Sequence, residues 1–202
     1  MRSTKYDATA AEWSKTAYAD PARYLTHRAH AIVTVGPRLE PGDTLLDLAC
    51  GDGALAGYLP EGVLYKGVDA SSAMVEAARA QGRDVVQGDL NDYVPPAHVA
   101  ATSCFRAIYY AADRRVFFEQ ARQYTTKKLV FDLNPRQFPL AEVRADAHAA
   151  GFGRFDTRPF FVPQRYALSP VLAQVLVGLE HAGPVARAVL RARFTYVCAA
   201  SE

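Results

Sequence analysis

The sequence predicts an α/β fold: a doubly wound, mostly parallel sheet of seven strands with helices on both faces. Three observations carry it. Short apolar runs alternate with stretches of helical spacing along most of the chain, a pattern that closes βαβ units. Glycines stand immediately after the first apolar run, where such sheets leave room for a ligand. The 202 residues are half apolar, enough to bury one core, so residues 1–202 are expected to form a single domain.

The elements follow in order. A polar leader bearing Tyr6, Trp13 and Tyr18 comes first. Asp20-Pro21 then offers an N-cap followed by proline at the first helical position, and Leu25, Ala29, Ile32 and Val33 recur at helical spacing. This predicts a helix from about Pro21 to Val35, stopped by Gly36-Pro37. A turn at Pro41 to Asp43 leads into Thr44 to Ala49, a buried strand entering a glycine loop. A helix through Leu55 and Leu59 should follow, then a strand from Leu64 to Val68 ending at Asp69. Ser71-Ser72 caps a helix carrying Met74, Val75 and Ala78. Asp84 to Gln87, Val99 to Cys104 and Lys128 to Leu133 read as strands, and Arg114 to Tyr124 as a helix. Pro139 to Ala150, closed by Gly151, is another helix, and Arg154 to Phe161 and Arg193 to Ala199 are the last strands. Between those two lies an insertion, residues 169–192, with a helix pair broken at Gly183-Pro184.

Composition removes several classes of function. A net charge of +2 from 23 basic and 21 acidic residues is too balanced to draw in nucleic acid or an anionic membrane by field alone. Three cysteines, Cys50, Cys104 and Cys198, lie far apart with no CxxC pair, which argues against a disulfide framework or a metal site and for the cytoplasm. The most apolar stretch, Val171 to Leu179, falls far short of the roughly 20 residues of a membrane helix. The N-terminal residues lack the apolar core of a signal peptide.

The chemistry concentrates in LLDLACGDGALAG. The strand delivers Asp47 to its carboxyl end, and Gly51 and Gly53 let backbone approach a ligand. Gly51-x-Gly53-x-x-Ala56 also fits a dinucleotide fingerprint, with Asp69 at the distance of a ribose-binding carboxylate. An NAD(P)-dependent oxidoreductase therefore stays open on the loop alone. Asp52 and Asp47, however, make the loop a poor host for a pyrophosphate and a better one for a ligand bearing an ammonium and a sulfonium.

At this point the residues resemble the class I S-adenosylmethionine-dependent methyltransferases. Asp47-Leu-Ala-Cys-Gly51-Asp-Gly53 is similar to their first motif, with Ala49 where many relatives carry glycine. Val68-Asp69-Ala70-Ser-Ser-Ala-Met74 resembles the second, whose acidic residue takes both ribose hydroxyls while apolar neighbours flank the adenine. Gln87-Gly88-Asp89-Leu90 looks like the third, where the aspartate reads the adenine amino group. Asp47, Asp69 and Asp89 stand 22 and 20 residues apart, as if each closed one βα unit on one edge of the sheet. The resemblance is specific from Thr44 to Leu90 and topological out to Ala199. It implies a Rossmann-like methyltransferase fold in which residues 1–40 form a lid and helix segment, 41–168 the cofactor-binding core and 169–192 a helical insertion.

For the cofactor, S-adenosyl-L-methionine, the resemblance implies contacts from Asp47, Ala49, Gly51, Gly53, Asp69, Ala70, Met74, Asp89, Leu90 and Phe105. Arg23 resembles the arginine that some small-molecule methyltransferases pair with the cofactor carboxylate; a surface arginine is the plainer reading. Tyr6, Trp13 and Tyr18 either fold over the cofactor or staple the leader to the core. Tyr18, Arg106, Tyr109, Tyr110, Asn134 and Arg136 are the substrate-facing candidates. No catalytic base is assigned, because in-line displacement from a sulfonium runs on positioning. His27 and His30 are expected on the solvated face of the first helix, and Arg187, Arg191 and Arg193 at the end of a late helix. The insertion roofs the acceptor pocket, forms a dimer face or simply packs on the sheet. The expected function is methyl transfer to a small-molecule acceptor by a monomer or homodimer. The alternatives are an RNA or protein methyltransferase, the oxidoreductase, and a cofactor-binding protein without catalysis. The missing Asn/Asp-Pro-Pro-aromatic motif after the fourth strand speaks against a nucleic-acid amino group.

Overall fold

Pro21 at the first position and the Asp20 carboxylate, which accepts the Arg23 N–H at 3.1 Å, start the first long helix. In the computed structural model, which describes residues 10, 13–183 and 195–202, this is α2 (Pro21–Thr34), preceded by a short α1 (Trp13–Ala17) that the leader's polar composition had not suggested. The strands are β1 (Thr44–Leu48), β2 (Leu64–Asp69), β3 (Val85–Gln87), β4 (Val99–Cys104), β5 (Thr125–Leu133), β6 (Arg154–Phe160) and β7 (Thr195–Ser201). The remaining helices are α3 (Ser72–Ala80), α4 (Arg114–Tyr124), α5 (Leu140–Ala149) and α6 (Pro170–Glu180).

The seven strands form one sheet in the order β3-β2-β1-β4-β5-β7-β6. β1 to β5 run parallel, and β7 inserts antiparallel between β5 and β6. The order reverses between β1 and β4, the switch point at which doubly wound sheets bind ligands. Two apolar layers cover the sheet. One, around Phe118, Phe131 and Val143, lies under α4 and α5; the other, around Leu25, Ile32 and Leu45, lies under α2.

The helix expected through Leu55 and Leu59 is only a 3₁₀ turn, Ala54–Tyr58. Gly57 and Pro60 leave too few consecutive helix formers there to extend it. β5 begins at Thr125 rather than Lys128, because Thr125 and Thr102 share a buried hydroxyl pair at 2.6 Å that carries strand pairing back toward α4. Lys128, fully buried in β5, donates to the carbonyls of Val33 (3.0 Å) and Val35 (2.8 Å) at the C-terminal end of α2. Burial, with Arg158 and Lys127 nearby, lowers its pKa to about 7.

His27 is not on a solvated face. It is buried, with Nε2 2.9 Å from both oxygens of the buried Glu180, whose Oε1 also accepts the Phe161 N–H. This pair clasps the end of α6 to α2. His30 is exposed as expected. Of the insertion, α6 is described and buries Ala173 and Glu180 while exposing Val171, Leu172, Val175 and Leu179. The second helix of the expected pair, Tyr6, Arg187, Arg191 and Arg193 lie outside the described residues. Among those described, no helix is long and apolar enough to cross a membrane, and no group of three or more His, Cys, Asp or Glu residues could hold a metal ion.

Candidate functional site

The carboxyl ends of β1, β2 and β3 deliver three aspartates to one edge, each in a different state. Asp47, on β1, is fully buried. Arg28 donates to both its oxygens at 2.9 and 3.2 Å, Ser103 at 2.6 Å and Tyr65 at 3.3 Å. The Arg28 guanidinium in turn lies 4.6 Å from the Phe105 ring centroid. Asp47 thus fastens α2, β2 and β4 to β1, and its charge is met by the protein itself.

After β1 the chain turns through Ala49, Gly51 and Gly53, all left-handed (φ 54°, 62° and 68°). Glycine accepts this readily, whereas a β-carbon at Ala49 costs about 1–2 kcal/mol. The Gly51 N–H donates to Asp69 Oδ2 at 2.7 Å and the Ser71 N–H to Asp69 Oδ1 at 2.9 Å, so β2's last residue holds both the glycine loop and the start of α3. Burial raises the Asp69 pKa, against the lowering effect of these two amides. Ser71, not Asp69, caps α3 by accepting the Met74 N–H at 3.3 Å. Asp89 accepts from the Asn91 side chain at 2.7 Å and its amide at 3.0 Å. Asn91 also donates to the Tyr110 carbonyl and accepts the Ala112 N–H, linking the loops after β3 and β4.

Asp52 is buried, accepts the Ser14 N–H at 3.1 Å and has Arg83 Nη1 4.0 Å from its Oδ1. Its negative charge is therefore shared with a cation, which weakens the expectation that it alone repels phosphate. Asp69 and Asp89 differ: among the described residues neither has a cationic partner. Trp13 of α1 covers the loop, since a β-carbon built on Gly51 would come 3.1 Å from its ring.

Met74 and Leu90 are buried and Ala70 is half-buried next to Asp69. Tyr18 is buried and stacks on Tyr24 with ring centroids 4.5 Å apart. Arg23 is drawn elsewhere: its guanidinium donates to the Leu168 carbonyl at 2.6 Å and lies 3.5 Å from Asp20. The arginine that reaches β1 is Arg28, which the sequence reading passed over. It sits three residues after Leu25 and four before Ile32, on the helix's own apolar stripe, and a charge on that stripe was the available signal.

The β4 and β5 ends look different. Arg106 and Asn134 are exposed, Tyr109 and Tyr110 are about half exposed with rings 4.5 Å apart, and Arg136 is exposed in a turn whose amide donates to Asn134. A groove of about 470 Å³ lined by Ala111–Arg115, Phe138 and Asp146 opens beside these loops. A second cavity of about 200 Å³, lined by Thr44, Lys66, Asp84 and His98, lies at the opposite, amino end of the strands.

Residues 45–128 match the family model described as a methyltransferase domain. Over those residues the chain is similar to methyltransferases, as its three acidic motifs imply. Trans-aconitate 2-methyltransferase of Mycobacterium tuberculosis is 36% identical over 86 residues, covering 38% of this chain and 32% of the relative. The chain thus spans about a third of the length of the curated relatives it matches. The fold is shared with a chain of the Haloferax volcanii complex between the Trm112 methyltransferase activator and a methyltransferase (TM-score 0.67, 22% identity, 100% of this chain and 97% of that one). It is also shared with Haemonchus contortus phosphoethanolamine N-methyltransferase 2 in complex with S-adenosyl-L-methionine (TM-score 0.65, 15% identity, 99% of this chain and 58% of that one).

The edge fits the family's cofactor on charge. With Asp47 matched by Arg28 and Asp52 by Arg83, Asp69 and Asp89 leave the edge net negative. That suits a ligand carrying an ammonium, a sulfonium and one carboxylate better than a dinucleotide with its pyrophosphate.

Proposed function

We propose that this chain methylates a small-molecule acceptor with S-adenosyl-L-methionine. The observation that carries the reading is the pair of carboxylates, Asp69 and Asp89, without cationic partners among the described residues, beside a left-handed glycine loop at the sheet's switch point. Asp69 would hold the ribose hydroxyls, Asp89 the adenine amino group, Met74 and Leu90 the adenine faces, and amides of the glycine loop the amino-acid carboxylate. Asp47 acts through Arg28, Ser103 and Tyr65 by fixing the loop rather than by facing the ammonium. Arg23 is not needed for this site. When bound, the cofactor supplies a methyl group on an already activated sulfur leaving group.

The chain's own contribution is then positioning. Holding an acceptor in line is worth about 7–11 kcal/mol without any side-chain base. Trp13 and Tyr18, packed over the loop and against α2, exclude water from the cofactor side. A small acceptor is supported by the curated relatives, which are 36% identical over 86 residues and are named for methylation of trans-aconitate. Three buried free cysteines fit a reducing cytoplasm. A second reading, a macromolecular acceptor reached in an assembly, is favoured by the Haloferax likeness, whose methyltransferase was solved bound to an activator.

The test is methyl transfer from isotope-labelled cofactor into a fractionated cell extract. Label in the small-molecule fraction is the expected result. Label confined to RNA or protein would replace the first reading with the second.

A further inference from the structure

The post-β4 turn contains a conformation that nothing in the fold's own packing requires of a long side chain. Arg106 is left-handed (φ 59°), one of two non-glycine residues with positive φ among those described. Such positions are rare and gather at ligand clamps. Its backbone is pinned on three sides: Phe105 and Ala107, before and after it, are buried, and its N–H donates to the buried Asp132 at 2.6 Å. The side chain itself is exposed at the carboxyl end of β4. Among the described residues its guanidinium makes no hydrogen bond or ion pair. The other arginines of this edge are committed, Arg28 to Asp47, Arg83 to Asp52 and Arg23 to Leu168 and Asp20. The fold has therefore fixed a cation's root rigidly and left its head exposed: its charge acts on the buried Asp132 and Tyr24, but its N–H groups keep no hydrogen-bond partner among the described residues, three residues before the exposed Tyr109.

We infer that Arg106 is the specificity-determining residue of the acceptor site and binds a carboxylate of a small organic acid. This rests on the methyltransferase reading and adds the acceptor's chemical class. The guanidinium fork matches a carboxylate's two oxygens. A carboxylate rather than a phosphate follows from the surroundings. Asp132 lies directly beneath the turn, and Asp69 and Asp89 stand further along the same edge, at the end of β2 and after β3, so a second negative charge on the ligand would meet repulsion that one arginine does not offset. If the bound carboxylate is itself the acceptor, its oxygen forms the new bond to the methyl carbon as the carbon–sulfur bond breaks. The bonding pair stays on sulfur, and no proton has to be removed.

The experiment is calorimetric titration of the protein saturated with S-adenosylhomocysteine. The probes are a panel of aliphatic and aromatic mono- to tricarboxylic acids, each with its primary amide and its phosphate-bearing counterpart. Binding by at least one acid, absent for its amide and phosphate, is expected. Arg106→Gln should weaken that acid at least tenfold, Arg106→Lys less, and both should leave S-adenosylhomocysteine affinity within about twofold, since each 1.4 kcal/mol of lost pairing is tenfold. Unchanged acid binding in Arg106→Gln, equal binding of amides or phosphates, or no acid bound at all would overturn the assignment. Failure to bind S-adenosylhomocysteine in the first place would instead overturn the underlying methyltransferase reading, and this inference with it.

Discussion

β1 and β4 are neighbours in the sheet, with Asp47 opposite Ser103, and both leave it through a non-glycine residue in the left-handed region, Ala49 after β1 and Arg106 after β4. The similarity ends there. Around Ala49 the carboxylates are engaged: Arg28, Ser103 and Tyr65 donate to Asp47, Asp69 holds the glycine loop, and Trp13 covers it. Around Arg106 the backbone is anchored on the buried Asp132, and arginine, tyrosine and asparagine side chains stand exposed. On the proposed reading, one half of the edge is preorganised for the cofactor, and the other is a rigid frame whose exposed side chains discriminate between acceptors. The lesson is that backbone strain has two uses in one edge, to shape a loop in the first case and to aim a side chain in the second.

The strongest way to break the first half is to remove Arg28. Arg28→Leu leaves Asp47 buried without its cation, and a loss of about 3–5 kcal/mol in urea unfolding is expected. Adding Asp47→Asn should return much of it, because Ser103 and Tyr65 can still donate. If the single substitution proved neutral, Asp47 would be shown not to depend on Arg28.

Next in size is Asp69→Ala, which removes the proposed ribose contacts. Hydrogen bonds to a charged group are worth about 1.5–3 kcal/mol each, so loss of the two ribose contacts should lower S-adenosylhomocysteine affinity by about 100-fold or more. The variant should still fold, although the Gly51 and Ser71 amides lose their acceptor. Unaltered affinity would mean that Asp69 serves only the loop.

The aspartates of the edge were legible in the sequence, and their partners were not. Asp47, Asp69 and Asp89 announce themselves by even spacing behind apolar strands, and β4 and α4 appear with the boundaries read from the sequence, because hydrophobic runs and an Asp113 cap define them locally. Partners distant in sequence do not show in such patterns. His27 looked solvated on helical spacing alone and is instead buried against Glu180, 153 residues on. Arg23 drew attention as the first arginine of α2, yet the one bound to β1 is Arg28, and only its place on the apolar stripe hinted at it. Asp132 and the strain at Arg106 were invisible, since neither a buried carboxylate in a strand nor a positive φ at arginine has a sequence signature.

A third prediction contrasts Arg28 with the other buried cation. Arg28 faces a carboxylate; Lys128 faces two carbonyls at the far end of the sheet, and its pKa is lowered to about 7 from an ordinary 10.5. Between those values the unfolded chain binds more protons than the folded one, so this group makes stability rise with pH. Unfolding free energy should increase from pH 7 to pH 9, and Lys128→Met should flatten that rise. An unchanged slope in the variant would contradict it.

The smallest effects separate the two uses of strain. Ala49→Gly and Arg106→Gly should each stabilise slightly, by up to about 1 kcal/mol, because relief of the left-handed β-carbon outweighs the added freedom of the unfolded chain. Ala49→Gly should keep S-adenosylhomocysteine binding, whereas Arg106→Gly should lose acid binding while gaining stability. Retained acid binding in Arg106→Gly would collapse the distinction between the halves.

The central claim, that this edge of the sheet is an S-adenosylmethionine site, is tested most directly by calorimetric titration of the purified protein with S-adenosylhomocysteine, NAD and NADP in parallel. Saturable one-site binding of S-adenosylhomocysteine, with no heat from either dinucleotide, is the predicted result. Binding of NAD or NADP without S-adenosylhomocysteine, or of none of the three, would contradict it.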